Sequence, residues 1–267
     1  MNYTNSTHAP PLAPEEVRTG DLGFFHGEGN FGSTIIELSG ASPWSHVTLV
    51  VEYDANNAHQ HQQQQEREQG QQPQQAQQYK QYQQQPSHRH YTPLGVYAPR
   101  PGLWEATSWH ANQREVLHHE LRSGARMVDL EERLHLVPPG SVGVRQLHVP
   151  RQERNDLSSR IQRFISAEDG KPYEPSWWPL IRSWFDVLDS VPCMQPLLGR
   201  NPRDVSAYFC SELVAETLMQ ANVLQYTPGR PSSEFTVADL SRLVDQDMVS
   251  PYRYGPLRPL VWSSSPT

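Results

Sequence analysis

Between Gln60 and Gln85, 16 of the 26 residues are glutamine. A stretch so poor in apolar side chains cannot bury enough surface to offset the entropy of ordering it, so no packed core runs through it. The chain from about Ala55 to Thr92 therefore reads as a disordered insertion, and a folded domain must be assembled from the two flanks. His59, His61, His88 and His90 lie in this low-complexity stretch and read as drift rather than as a metal site. With 267 residues in all, the flanks still suffice for a substantial core.

The insertion falls inside a hairpin. Before it, Ser42 to Tyr53 is a β-branched and apolar run of strand length, with His46 at its beginning. After it, Gly102 to Ser108 reads as the strand that pairs with His46's strand. Upstream, Gly20 to His26 is a turn feeding a first strand. The glycine-rich loop Gly27 to Gly32 lacks the Gly-Lys-Ser/Thr ending of a phosphate cradle, and Ser33 to Ser39 is a short helical segment. Downstream, Ala125 to Leu130 and Ser141 to Val149 read as strands, and Glu153 to Ala167 as an amphipathic helix. The turn Gly170-Lys171-Pro172-Tyr173 leads into an aromatic segment at helical spacing. Its Trp177, Trp178, Trp184 and Phe185 form a helix face that either packs inward or acts as a lid or peripheral lipid contact. Pro192 to Arg203 is irregular, Pro228 to Thr236 a loop, and Val237 to Val244 a short helix. The rest reads as a proline-rich coil with Tyr252, Tyr254 and Trp262.

The chemistry-bearing stretch is Tyr208-Phe209-Cys210-Ser211-Glu212-Leu213-Val214-Ala215-Glu216-Thr217-Leu218. Cys210, Leu213, Val214, Thr217, Leu218 and Ala221 recur on one helical face, apolar except for Thr217, with Glu212 and Glu216 on other faces. Asp204 or Ser206 is the candidate cap. A thiol in the first turn feels the positive end of the helix dipole, which favours the thiolate. Read alone, Cys210 is first of all a small buried apolar residue, as most cysteines are.

Composition narrows the function classes. A formal net charge of -7 argues against a nucleic-acid partner. No stretch reaches the roughly 18 to 20 apolar residues of a membrane span, and Met1 to Pro14 lacks a signal-peptide pattern. Two cysteines, Cys193 and Cys210, do not make a disulfide framework. The expectation is a reducing, cytoplasmic setting.

A Cys/His hydrolase needs a thiol, a histidine to take its proton and a polar group to orient the histidine. Cys210, His46 and Glu105 supply those chemotypes on a helix start and two neighbouring strands. Gly20-Asp21, Ser45-His46-Val47, Glu105-Ala106 and Cys210-Ser211-Glu212-Leu213-Val214 together resemble the circularly permuted NlpC-type papain-like cysteine hydrolases, in particular the YiiX-like branch. The resemblance covers most of residues 18 to 224 once the glutamine insertion is set aside. It implies an α+β, permuted papain-like fold in which an antiparallel sheet packs against the helix carrying the cysteine.

The resemblance further implies Cys210 as nucleophile, His46 as base and Glu105 as the group holding the imidazole. Tyr173, after the Gly-x-Pro turn, matches a tyrosine that the family often places near the site, where it donates to the oxyanion or contacts substrate. The expected substrate is a peptide, an amide or an acyl lipid, attacked through a thioester with no cofactor or metal. The expected organisation is a flexible N-terminus at 1–17, the hydrolase domain at 18–245 with its insertion at about 55–92, and a proline-rich tail at 246–267. The glutamine insertion and the tryptophan segment depart from the family pattern. A lipid acyltransferase of the lecithin:retinol acyltransferase-like type, a catalytically inactive binding module and an interaction protein built on the glutamine-rich arm are the competing readings.

Overall fold

The computed structural model describes residues 9–26, 42–53, 99–107, 115–116, 123–172, 209–226 and 230–262. Among these residues six strands form one antiparallel sheet in the order β4-β3-β2-β1-β5-β6. They are β1 (Leu22–His26), β2 (Trp44–Tyr53), β3 (Arg100–Thr107), β4 (Gly124–Asp129), β5 (Val142–His148) and β6 (Arg253–Pro259). The α-helices among the described residues are α1 (Leu130–His135), α2 (Arg154–Glu168), α3 (Cys210–Gln220) and α4 (Val237–Ser241). The architecture is α+β.

Side-chain alternation along the strands separates two cores. Leu22, Phe24, Val47, Leu49, Trp104, Ala106, Ala125 and Met127 point to the face covered by α3, α2 and α4. Phe25, Val50, Leu103, Val128, Val142 and Val144 point to the other face, where Leu130 and Leu134 of α1 join them. Burial on both faces explains the nearly continuous apolar run of β2. Each fully buried large side chain among these contributes about 1.5–3 kcal/mol.

Helix α3 is the centre of the first core. Nine of its 11 residues are buried, including Glu212 and Glu216. The faces expected to be polar are therefore enclosed as well. Glu216 meets its needs internally, accepting from the Ser232 hydroxyl at 2.7 Å and from the Gln220 amide at 2.8 Å. Thr217, the one polar residue on the apolar face, donates to Leu213 O at 2.7 Å and accepts from Trp104 Nε1 at 3.2 Å. That last bond ties α3 to β3 one residue before Glu105.

Helix α2 buries Leu157, Ile161 and Ile165, a stripe at intervals of four, and packs on α3. Asp21, just before β1, accepts from the backbone N–H groups of Leu147 (2.8 Å) and Arg18 (2.9 Å), fixing β1 to the end of β5.

Both ends of the expected domain need correction. Leu12 and Val17 are buried in the second core, and Leu12 bridges Leu260, so 9–17 is packed chain rather than a flexible leader. Arg253–Pro259, expected as coil, is an edge strand on β5. Pro256 and Pro259 argue against a central strand, yet a strand at the sheet edge tolerates residues that lack a donor. Helix α1 was not anticipated either; its six residues are too few for a periodic signal, although the Asp129 side chain caps Glu132 N. The glutamine-rich insertion, the glycine-rich loop, the aromatic segment, Cys193 and Tyr173 lie outside the described residues.

Candidate active site

The site forms where β2 and β3 part. Their ladder runs from Tyr53↔Arg100 to Leu49↔Trp104 and stops there, while β3 continues against β4 from Gly102 to Thr107. A seam is left between His46–Thr48 on one strand and Glu105–Thr107 on the other.

Strand geometry decides what points into this seam. Val50 N donates to Asp21 O on the β1 side. Alternation then aims the N–H groups of odd-numbered residues in β2, Val47 among them, toward β3. With β3 withdrawn, the N–H of Val47 donates instead to the sulfur of Cys210. The N–H of Ser211 also bonds the sulfur.

The thiol comes from the first residue of α3. Phe209 is the N-cap, in an extended conformation (φ −84°, ψ 161°) and without a side-chain cap bond. Asp204 and Ser206, the candidate caps, lie outside the described residues. The first intrahelical bond runs from Leu213 N to Phe209 O, so the N–H groups of the first turn have no partner within the helix ladder.

His46 and Glu105 reach the seam from the opposite face of the sheet to α3. His46 sits across from Phe25, with ring centroids 6.0 Å apart. Its Nε2 and Glu105 Oε2 are 2.9 Å apart. With Nε2 engaged, Nδ1 is the ring nitrogen left to hydrogen-bond Cys210, a contact that ties the imidazole to the sulfur. The imidazole is 17% exposed, whereas the carboxylate is fully buried.

Glu105 divides its two oxygens between two tasks. Oε1 accepts from Arg126, at 2.8 Å from Nη2 and 3.2 Å from Nε. Arg126 is its in-register partner on β4 and is itself fully buried. Oε2 faces His46 and also lies 4.0 Å from Arg133 Nε of α1. The Arg133 guanidinium packs over the Phe25 ring at 5.2 Å, which locks the aromatic neighbour of His46. Sequence reasoning missed both arginines. Arg126 was visible as a charge inside an otherwise apolar strand, whereas Arg133 carried no signal.

The electrostatics follow from these contacts. Burial works against the Glu105 charge, but Arg133, the His46 hydrogen bond and Arg126 hold its carboxyl well below the usual carboxylate range. Burial likewise disfavours imidazolium, yet the Cys210 sulfur and Glu105 outweigh it and raise His46 to about 9. For Cys210, burial would push the thiol up; the His46 charge, the His46 hydrogen bond and the N–H groups of Val47 and Ser211 bring it below its ordinary value. The three groups form a chain of charge-coupled contacts that favours the thiolate of Cys210 relative to an ordinary thiol. Among the described residues, no group of three or more His, Cys, Asp or Glu side chains is placed to hold a metal, and no helix is long and apolar enough to cross a membrane.

Comparison with protein-family models and with curated proteins finds no match for this chain.

Proposed function

We propose that the chain is a cysteine-dependent hydrolase with a circularly permuted papain-like fold, acting on an amide, peptide or acyl-lipid bond through a Cys210–His46–Glu105 triad. The observation that carries this reading is the unbroken line of hydrogen bonds from Arg126 through Glu105 and His46 to a thiol at a helix start.

In this mechanism the Cys210 thiolate attacks the acyl carbonyl and forms a carbon–sulfur bond. The N–H groups of the first turn of α3 are the nearest donors to the developing oxyanion. His46 gives its proton to the leaving group as the carbon–nitrogen or carbon–oxygen bond breaks. Water then attacks the thioester, His46 takes a proton from it, and the acid leaves as the thiol is restored. Glu105 keeps Nε2 engaged so that Nδ1 faces sulfur throughout. A lipid or amine in place of water would make the same intermediate serve an acyltransferase.

The test is intact-mass detection of the acyl-enzyme. The protein is incubated with acyl esters, peptide amides and phospholipid vesicles, alongside Cys210→Ser and a Cys193→Ser control. The proposal expects a thioester adduct with at least one class, absent from Cys210→Ser and retained in Cys193→Ser. An adduct that maps to Cys193, or none with any class, contradicts it.

A further inference from the structure

A second feature lies at the other end of β1. An open groove of about 440 Å³ is lined by Arg18, Asp21, Gln146, His148, Arg154 and Arg253 among others. Asp21 precedes β1, whereas Phe25 stands beside His46, so about 13 Å of strand separates the groove from the thiol site.

The groove concentrates cations in a chain whose net charge is -7. Several described cations elsewhere have carboxylate partners, Arg160 with Asp156, Lys171 with Glu168, Arg230 with Asp239 and Arg126 with Glu105, while the buried Arg145 is satisfied by backbone carbonyls. In the groove three arginines share one carboxylate, Asp21, whose charge interacts with those of Arg154 and Arg18. Among the described residues no acceptor takes a hydrogen bond from the side chain of Arg154 or Arg253, and Nη1 of Arg154 is buried without a partner. Arg18 donates only to the carbonyls of Glu15 and Val17. Asp21, the one carboxylate in the lining, already has both oxygens on the N–H groups of Leu147 and Arg18.

A guanidinium N–H removed from water without an acceptor, as at Nη1 of Arg154, is costly, while Arg253 beside it is exposed and free to turn toward a ligand. Such an arrangement is stabilised when a ligand brings the missing oxygens. The planar donor fork of arginine matches phosphate better than any other common anion except carboxylate. The volume falls within the range of small-molecule sites and exceeds that of a bare ion.

We propose that this groove binds a phosphate-bearing small molecule, with the phosphate held by Arg154 and Arg253 and flanked by Arg18 and His148. The site is independent of the Cys210 chemistry.

The test is calorimetric titration of the full chain with inorganic pyrophosphate and orthophosphate at physiological salt. Arg154→Gln and Arg253→Gln are compared with Arg163→Gln on the exposed face of α2. Saturable binding that weakens about tenfold or more in both groove variants and is unchanged in Arg163→Gln supports the site. Heats that never saturate, heats reproduced by sodium chloride at equal ionic strength, or equal weakening in all three variants overturn it. Arg253 is an exposed side chain on an edge strand, so its variant decides the matter if Arg154→Gln fails to fold.

Discussion

The backbone N–H of Val47 donates to the sulfur of Cys210, filling the hydrogen-bonding position that β3 leaves when it parts from β2. The thiol thereby substitutes for a strand. Its position is fixed by the sheet on one side and by the start of α3 on the other, and the Trp104–Thr217 bond holds helix and strand together close by. The same seam lets His46 and Glu105, whose side chains belong to the opposite face, meet a sulfur arriving from the first. A continuous β2–β3 ladder would keep them apart.

The Glu105–Arg126 pair separates a structural from a positioning role. Removing Glu105 alone takes the carboxylate partner from a fully buried guanidinium, so Glu105→Ala should lose about 3–5 kcal/mol in denaturant unfolding. Replacing both charges, as in Glu105→Leu with Arg126→Met, should recover most of that loss. It should not recover thiol reactivity, because His46 still lacks its carboxylate. Recovery of both together would make Glu105 a purely structural residue.

Gly124 is a second sensitive point. Its φ is +101°, and a Cβ there would stand 2.1 Å from Lys171 O, the carbonyl that accepts from Ala125 N. Gly124→Ala must displace the turn at Gly170–Lys171 and should cost at least about 2 kcal/mol. Thermal unfolding checks this, and a near-neutral result would mean that the turn is not bound to β4 as described.

Asp21 gives a pH signature. Burial raises its pKa to about 7 from an ordinary 3.8, with the N–H groups of Leu147 and Arg18 and the charges of Arg154 and Arg18 opposing the shift. A carboxyl raised in the folded state contributes stability that is fully present below about pH 4 and lost as pH rises through about 7. Tyr254, whose hydroxyl donates to Gly20 O, faces the same carboxyl and is held protonated by its burial. Asp21→Asn cannot accept both N–H groups and should be less stable at acid pH, but the gap in Tm should narrow as pH rises through 7. A gap that stays constant across that range would show that Asp21 does not titrate there.

Much of this was legible in the chain because the signals were local. The run Trp44 to Tyr53, the apolar strands after it and the four-residue stripe of α2 each announced their elements through periodicity and β-branching. The three site chemotypes were visible from residue type and the Cys-Ser-Glu-Leu-Val motif. What was not legible depends on register. Arg126 becomes the partner of Glu105 only once β3 and β4 align, and Arg133 arrives through a helix of six residues. The burial of Glu216 follows from Ser232, which no periodicity links to it. Prolines in β6 concealed an edge strand, since their penalty applies to central strands.

The coupled shifts of Cys210 and His46 define a window for acyl transfer. The thiolate exists above the lowered value of Cys210, and the imidazolium acid exists below about 9. The acylation rate should therefore be bell-shaped in pH, with its alkaline limb near 9 and its acid limb below the ordinary thiol value. In Glu105→Gln the alkaline limb should move to lower pH, because the neutral amide no longer stabilises imidazolium. An unmoved limb would detach Glu105 from His46 in function.

The most direct test is the pH dependence of Cys210 alkylation by iodoacetamide in a Cys193→Ser background, with and without His46→Ala. The account predicts a thiol that reacts well below its unperturbed pKa of about 8.5 and loses that reactivity when His46 is removed. A thiol that titrates at its ordinary value, or that is indifferent to His46, would contradict the activated nucleophile on which the proposed function rests.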